Sequence, residues 1–132
     1  MKIFLDTNIF LNLLLKRDGY KEAEMILNAC NQNIFQGFIC DITLLNIDYI
    51  ASKQVENIRD FLKILNETFT IVGLDNAMFQ KALDLNNSDL EDNAQYVCAK
   101  ESNCYLVVSD DKAFYEGDVT VIESKDFVKK YM

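Results

Sequence analysis

Three short stretches concentrate carboxylates where chemistry could be done: Leu5-Asp6-Thr7-Asn8, Ser88-Asp89-Leu90-Glu91-Asp92 and Val108-Ser109-Asp110-Asp111. Asp6 and Asp111 each follow an apolar run, and Asp89 and Asp92, at i and i+3, share one face of a predicted helix. Carboxylates gathered in one crevice repel one another and lose hydration unless a cation neutralises them. An all-oxygen donor set suits Mg²⁺ or Mn²⁺, which keep several of their waters. Taken singly, each acid has a simpler role: Asp6 could cap a helix, Asp111 could fix a turn, and Asp92 could be a solvated acid at the positive end of a helix dipole. Their joint placement is what favours ligands. The chain contains no histidine, which excludes a Ser-His-Asp triad, a Cys-His pair, an imidazole base and a His-rich metal centre.

The elements that must position these acids can be read from the spacing of apolar residues. Lys2 to Leu5 reads as a buried strand and Ile9 to Leu15 as a helix, because Asp6, Asn8 and Asn12 break what would otherwise resemble a secretory leader. Ala23, Ile26, Leu27 and Cys30 fall at i, i+3, i+4 and i+7 and predict a helix over 20–31. Strands are predicted at 37–40, 69–72, 105–108 and 119–122, with helices over 43–52 and 55–66. Asp75 should cap a helix to about Leu83, and Ser124 one to Lys130. Ser88 to Glu91 fits a capping box, which starts a helix at Asp89 with Leu90, Ala94, Val97 and Cys98 on its buried side. Glu91 is assigned to that box and Asp110 to the surface of a turn.

Strands alternating with helices over the whole length predict an α/β fold with one mostly parallel sheet covered on both faces. Ligands bind such sheets beyond the carboxyl ends of the strands, at the switch point. The ends of the first and fourth strands are Asp6 and Asp111, and Asp92 lies one turn inside the helix leading to the fourth.

The size, 132 residues, fits one domain spanning 1–132. Four cysteines without a C-x-x-C pair read as free thiols packed in a reducing cytosol, which gives an expected cytoplasmic location. No apolar run approaches the roughly 20 residues that span a bilayer, so no membrane association is expected. The formal charge of -8 opposes general affinity for nucleic acid.

The three acidic stretches in order resemble the PIN domain, as found in the toxin ribonucleases of bacterial toxin-antitoxin pairs. The resemblance covers nearly the whole chain. It rests on Ile3 to Asn8, on Leu90-Glu91-Asp92-Asn93-Ala94-Gln95-Tyr96, and on Val107 to Phe114. It implies a three-layer α/β/α sandwich with a five-stranded parallel sheet in the order 3-2-1-4-5. The implied activity is a divalent-metal-dependent endoribonuclease, with Asp6, Asp92 and Asp111 as catalytic, metal-binding acids and Asn8 and Ser109 supporting them. On this reading Asp6 and Asp111 hold the principal Mg²⁺ or Mn²⁺, Asp92 completes the set or orients the attacking water, and Asp89 supports from outside. Attack by water should leave 5′-phosphate and 3′-hydroxyl ends. Lys16, Arg17, Lys53 and Lys112 are the candidates for a local RNA-binding rim, against the simpler reading of solvated surface charges.

The sequence departs from the family pattern at one position. Members usually carry a glutamate in the helix after the second strand, where Thr43-Leu44-Leu45-Asn46-Ile47 offers Asn46. An amide oxygen can ligate a cation or hold a water but brings no charge. That substitution supports the alternative of a weak or inactive PIN scaffold that binds RNA or a protein partner. Receiver and haloacid-dehalogenase readings need paired acids or D-x-D at the first strand, and Asp6-Thr7-Asn8 supplies neither. An antitoxin and a second copy of the chain are the expected protein partners, with Phe10, Leu14 and Tyr20 as an apolar surface if they are not core.

Overall fold

Ile3, Phe4 and Leu5 are fully buried in succession, the pattern of a strand covered on both faces. The computed structural model describes residues 1–132. The strands are β1 (Lys2–Leu5), β2 (Gln36–Cys40), β3 (Thr70–Val72), β4 (Leu106–Val108) and β5 (Thr120–Ile122). The helices are α1 (Thr7–Leu14), α2 (Tyr20–Asn31), α3 (Asp41–Ala51), α4 (Ile58–Thr68), α5 (Asn76–Asp84), α6 (Leu90–Glu101) and α7 (Ser124–Tyr131). All strand pairs are parallel, in the order β3-β2-β1-β4-β5.

Side chains of successive strand residues point to opposite faces, and this divides the core in two. Ile3, Leu5, Ile39, Leu106 and Val108 pack against Phe10 of α1, Ile26 of α2, Ile47 of α3, Leu65 of α4 and Phe127 of α7. Phe4, Phe38, Cys40 and Val107 pack against Met78 and Ala82 of α5 and Ala94, Val97 and Cys98 of α6. The result is the expected three-layer sandwich. β1 lies at the centre, in register with both neighbours: Ile3 pairs with Gly37 on one side and Leu106 on the other. The connection from β1 runs toward β2, and the later chain returns to β4 on the opposite side, so the switch point falls at the end of β1.

Gly37 is required by contact: a Cβ there would come within 2.4 Å of the Phe69 ring. Gly19, at φ 89°, precedes α2 in the left-handed region that glycine tolerates best.

Several local expectations need correction. Residues 55–57 are not helical. Asn57 turns left-handed at φ 58° and α4 starts at Ile58. Phe69 is extended but serves as the cap of α4, before the ladder begins at Thr70. Asp89, and not Ser88, caps α6: its carboxylate accepts from the backbone N–H of Asp92, while Glu91 is exposed. An aspartate one residue nearer the helix makes the cap that the serine would have made. Leu90 is consequently carried outward and is 42% exposed, although Ala94, Val97 and Cys98 are buried as expected. Of the apolar residues on α1 and α2, Phe10 belongs to the core and meets Phe69 edge-on, whereas Leu14 and Tyr20 are half-buried. The prominent exposed apolar pair stands instead on α3, at Leu45 and Tyr49. The four cysteines are free and buried. No helix is long and apolar enough to cross a membrane.

Candidate metal centre

The parallel ladder continues one step past the strand ends, and this step builds the site. Asp6 donates its backbone N–H to the Val108 carbonyl, and Ser109 donates its own to the Ile122 carbonyl, both at 3.0 Å. Asp6 and Ser109 therefore lie side by side at the carboxyl edge of the sheet. The Ser109 hydroxyl donates to Asp6 Oδ2 at 2.8 Å and accepts from the Asp111 backbone N–H at 3.1 Å. One hydroxyl thus ties the acid after β1 to the acid after β4.

Asp6 precedes α1 in extended backbone, where an aspartate ordinarily caps the helix with its carboxylate. It makes no such bond. The Thr7 N–H that begins the helix goes instead to Gln95 Oε1 of α6, at 3.0 Å. Asp6 is fully buried, and its Oδ1 has no hydrogen-bond partner. Burial raises its pKa to about 6, a rise opposed by the Ser109 hydroxyl and the neighbouring Gln95 amide and reinforced by the negative charge of Asp111.

Asp92 enters from α6 and is only 4% exposed, so it is no solvated surface acid. Its Oδ2 also has no partner. Burial is the first cause that pushes its pKa up to about 8, and the neighbouring carboxylates of Asp6, Asp111 and Asp89 add to it. Carboxylate oxygens of Asp89, Asp92 and Asp111 lie within 4.8 Å of one another. Asp89 therefore both caps α6 and stands in the acidic group. Asp111 likewise does two things, since its Oδ1 accepts from the Ala113 N–H and fixes the turn.

These observations bear directly on whether a cation fits. Two buried carboxylate oxygens without partners are costly in a folded protein. The negative charges of neighbouring acids add to burial in raising the pKa values of Asp6 and Asp92. The donors are all oxygen, so the arrangement fits a hard divalent cation.

The other residues singled out in the sequence are placed less uniformly. Asn8 sits in the first turn of α1, half-buried. Asn46 is half-buried on α3, one turn beyond Thr43. Arg17 and Lys112 line one cleft of about 400 Å³ together with Asn12, Asp110 and Lys125, whereas Asp111 and Lys112 line another with Ser109. Lys16 is exposed in the turn between α1 and α2. Lys53 belongs to a different hollow, around residues 52–60 of the α3–α4 turn. Asp110 is not a surface residue of its turn. It accepts from the Ser124 N–H at 2.7 Å, from the Ser124 hydroxyl at 2.8 Å and from the Asn12 amide at 3.3 Å, so it holds the start of α7 against α1. Ser124, expected as the cap, is the first residue of α7, and Asp110 satisfies its N–H from another element.

Three residues of the site carried no assignment from sequence. Thr7 and Thr43 share a hydrogen bond between hydroxyls at 3.0 Å, and both are buried. Gln95 is fully buried and accepts from Thr7 through both the backbone N–H and the hydroxyl. The available signal was a polar run, Asp92-Asn93-Ala94-Gln95, in a helix otherwise packed by apolar residues.

Comparison with known proteins agrees with this geometry. The family model described as "PIN domain" matches residues 2–113. Ribonuclease VapC1 of Aquifex aeolicus (strain VF5) is 28% identical over 138 aligned residues, covering 98% of this chain and 95% of that protein. Among solved structures, a toxin-antitoxin complex from Klebsiella pneumoniae superposes with a TM-score of 0.70 at 20% identity, over 92% of this chain and 97% of that one. VapBC2 from Rickettsia felis, bound to a DNA fragment from its promoter, also gives 0.70, at 17% identity over 93% and 98%. With most of its length matched by the family model, its sheet in the order β3-β2-β1-β4-β5 and its acids gathered where β1 and β4 end, this chain belongs to the PIN-domain family.

Proposed function

We propose that the protein is a divalent-metal-dependent endoribonuclease and the toxin of a toxin-antitoxin pair. The observation that carries the reading is the pair of buried, unpartnered oxygens, Asp6 Oδ1 and Asp92 Oδ2, the second in one group with Asp89 and Asp111. The ribonuclease named among its relatives and the toxin-antitoxin complexes among its structural neighbours support the substrate and the partner.

Asp6, Asp92 and Asp111 are the residues that would hold Mg²⁺ or Mn²⁺, with Asp89 and Asn46 at its margin. When bound, such an ion activates water and neutralises charge that develops on a phosphodiester in the transition state. The chain's own contribution is to fix the acids. Ser109 holds the Asp6 carboxylate and the Asp111 backbone at set positions, so neither must be ordered when substrate arrives. Deprotonated Asp92 is suited to orient the attacking water, and in-line attack by water that expels the 3′ oxygen, which takes up a proton, leaves 5′-phosphate and 3′-hydroxyl ends. Lys112, which lines a hollow with Asp111, and Arg17, in one cleft with Lys112, are the cations best placed to meet RNA phosphates, with Lys16 adjoining Arg17. Lys53 belongs to a separate hollow and has the weaker claim. The protein is proposed to act in the cytoplasm as one domain, with an antitoxin or a second copy as protein partner.

The test is cleavage of a pool of single-stranded and structured RNA under Mg²⁺ and Mn²⁺. Metal-dependent cutting that vanishes in Asp111→Asn is expected. Equal cutting by both proteins means a contaminant. Asn46 favours a second reading, a scaffold that binds without cutting, and the absence of cleavage across metals and substrates selects it.

A further inference from the structure

Two buried groups of opposite kind are left without partners around the start of α1, where Gln95 meets Thr7, the residue after Asp6. Asp6 Oδ1 is an acceptor without a donor, and Gln95 Nε2 is a donor without an acceptor. Both residues are fully buried, so water does not readily serve either one. The orientation of the Gln95 amide is not free: Oε1 must face Thr7, whose backbone N–H and hydroxyl lie 3.0 and 3.2 Å away. Flipping the amide would set two N–H groups against each other. Nε2 is therefore turned away from Thr7, whose chain neighbour is Asp6, and the amide opposes the rise of the Asp6 pKa.

We infer that Gln95 is a positioning residue for Asp6, donating from Nε2 to Oδ1 as Ser109 donates to Oδ2, an inference that rests on the nuclease reading above. Two fixed donors on opposite oxygens determine the plane of the carboxylate, and its remaining lone pairs then face the space shared with Asp92 and Asp111. The same amide reaches further. Through Thr7 it is linked to Thr43 on α3, the helix that carries Asn46. Gln95 thereby registers α1, α3 and α6 against one another at the point where their acids and amides meet. Partners that orient a ligating carboxylate typically change metal affinity when removed, by about 10–100-fold.

The experiment compares native protein, Asp6→Asn and Gln95→Met by Mn²⁺ titration, followed by paramagnetic resonance, and by RNA cleavage across Mn²⁺ concentrations. Gln95→Met is expected to raise the half-saturating Mn²⁺ concentration about 10–100-fold, with most of the cleavage rate recovered at high metal. A residue that merely supports packing would lower the metal-free Tm and leave half-saturation within twofold, and that result overturns the inference. Because Gln95→Met could fail to fold, the native protein supplies a second measurement. The Gln95 side-chain amide should show one proton shifted downfield, moving back toward the free-amide position in Asp6→Asn. A free-amide position in native protein sinks the inference. Failure of the underlying reading looks different, since native protein would then bind no Mn²⁺ at this site at all.

Discussion

Asp6 could have been satisfied locally, by capping α1, and it is not. It is instead held by a residue 103 positions away in sequence. Replacing it by asparagine keeps the shape and removes one buried charge from a group that lacks any compensating cation. We expect Asp6→Asn to raise the Tm of the metal-free protein and to abolish the increase in Tm that Mg²⁺ or Mn²⁺ gives the native chain by binding only the folded state. Differential scanning fluorimetry with and without metal measures both effects. A native-sized metal response in the variant would move the site elsewhere. Asn46 gives the complementary case. Asn46→Glu adds the charge that the family pattern has there, and we expect tighter Mn²⁺ binding with cleavage kept or raised. Looser binding would show that Asn46 does not face the ion. The acids were legible at this scale because aspartates after apolar runs are visible in any sequence. Gln95 was not, because its role exists only where Thr7, Thr43 and Asp6 meet, and no spacing along the chain encodes that meeting.

The helices and strands were legible in proportion to how locally they are determined. Apolar spacing alone fixes α2, and the Asp75 carboxylate caps α5 through the Met78 N–H, a bond spanning three residues. The start of α6 misleads because Ser88 and Asp89 are both good caps, and the choice between them depends on Asp92 entering the core. The start of α7 misleads because its first N–H is satisfied by Asp110, from beyond β4. Asp110→Ala should therefore act on the junction of α1 and α7 rather than on its own turn. Loss of a carboxylate that accepts three hydrogen bonds should cost about 1–3 kcal/mol, read as a lower midpoint in urea. An unchanged midpoint would mean that water replaces the carboxylate. Gly37→Ala tests the sheet in the same assay. The added methyl meets the Phe69 ring and should cost about 1–3 kcal/mol, unless the ring can turn away, in which case the loss vanishes.

For the whole molecule the acidic group makes stability depend on pH in an unusual direction. Asp6 titrates at about 6 and Asp92 at about 8 in the fold, against 3.8 for an unperturbed aspartate. Between these limits the native state holds more protons than the unfolded chain, so the contribution of these groups to stability is greatest at low pH and falls as pH rises from about 4 to about 8. The metal-free Tm should accordingly drop between pH 5.5 and pH 8. Saturating Mg²⁺ or Mn²⁺ should close that gap, because the ion takes the place of the protons and binds better as they leave. A metal-free Tm that rises over the window would show that the carboxyls are not buried as described. The net charge of -8 hides this behaviour from composition, which counts acids without distinguishing the few that are desolvated.

The Ser109 bridge also sets a schedule. Chains emerge from the ribosome N-terminus first, at about 5–20 residues per second, so Asp6 is synthesised about 5–20 seconds before the serine that holds it. During that interval β2 and then α6 with Asp92 are made, but Asp6 stands throughout without Ser109 and Asp111. A chain interrupted anywhere before residue 109 cannot assemble the acidic group, however well its first half folds. A broken or unfinished copy of this protein is thus disarmed by its own topology, since Asp6 and the serine that holds it are 103 positions apart in the chain.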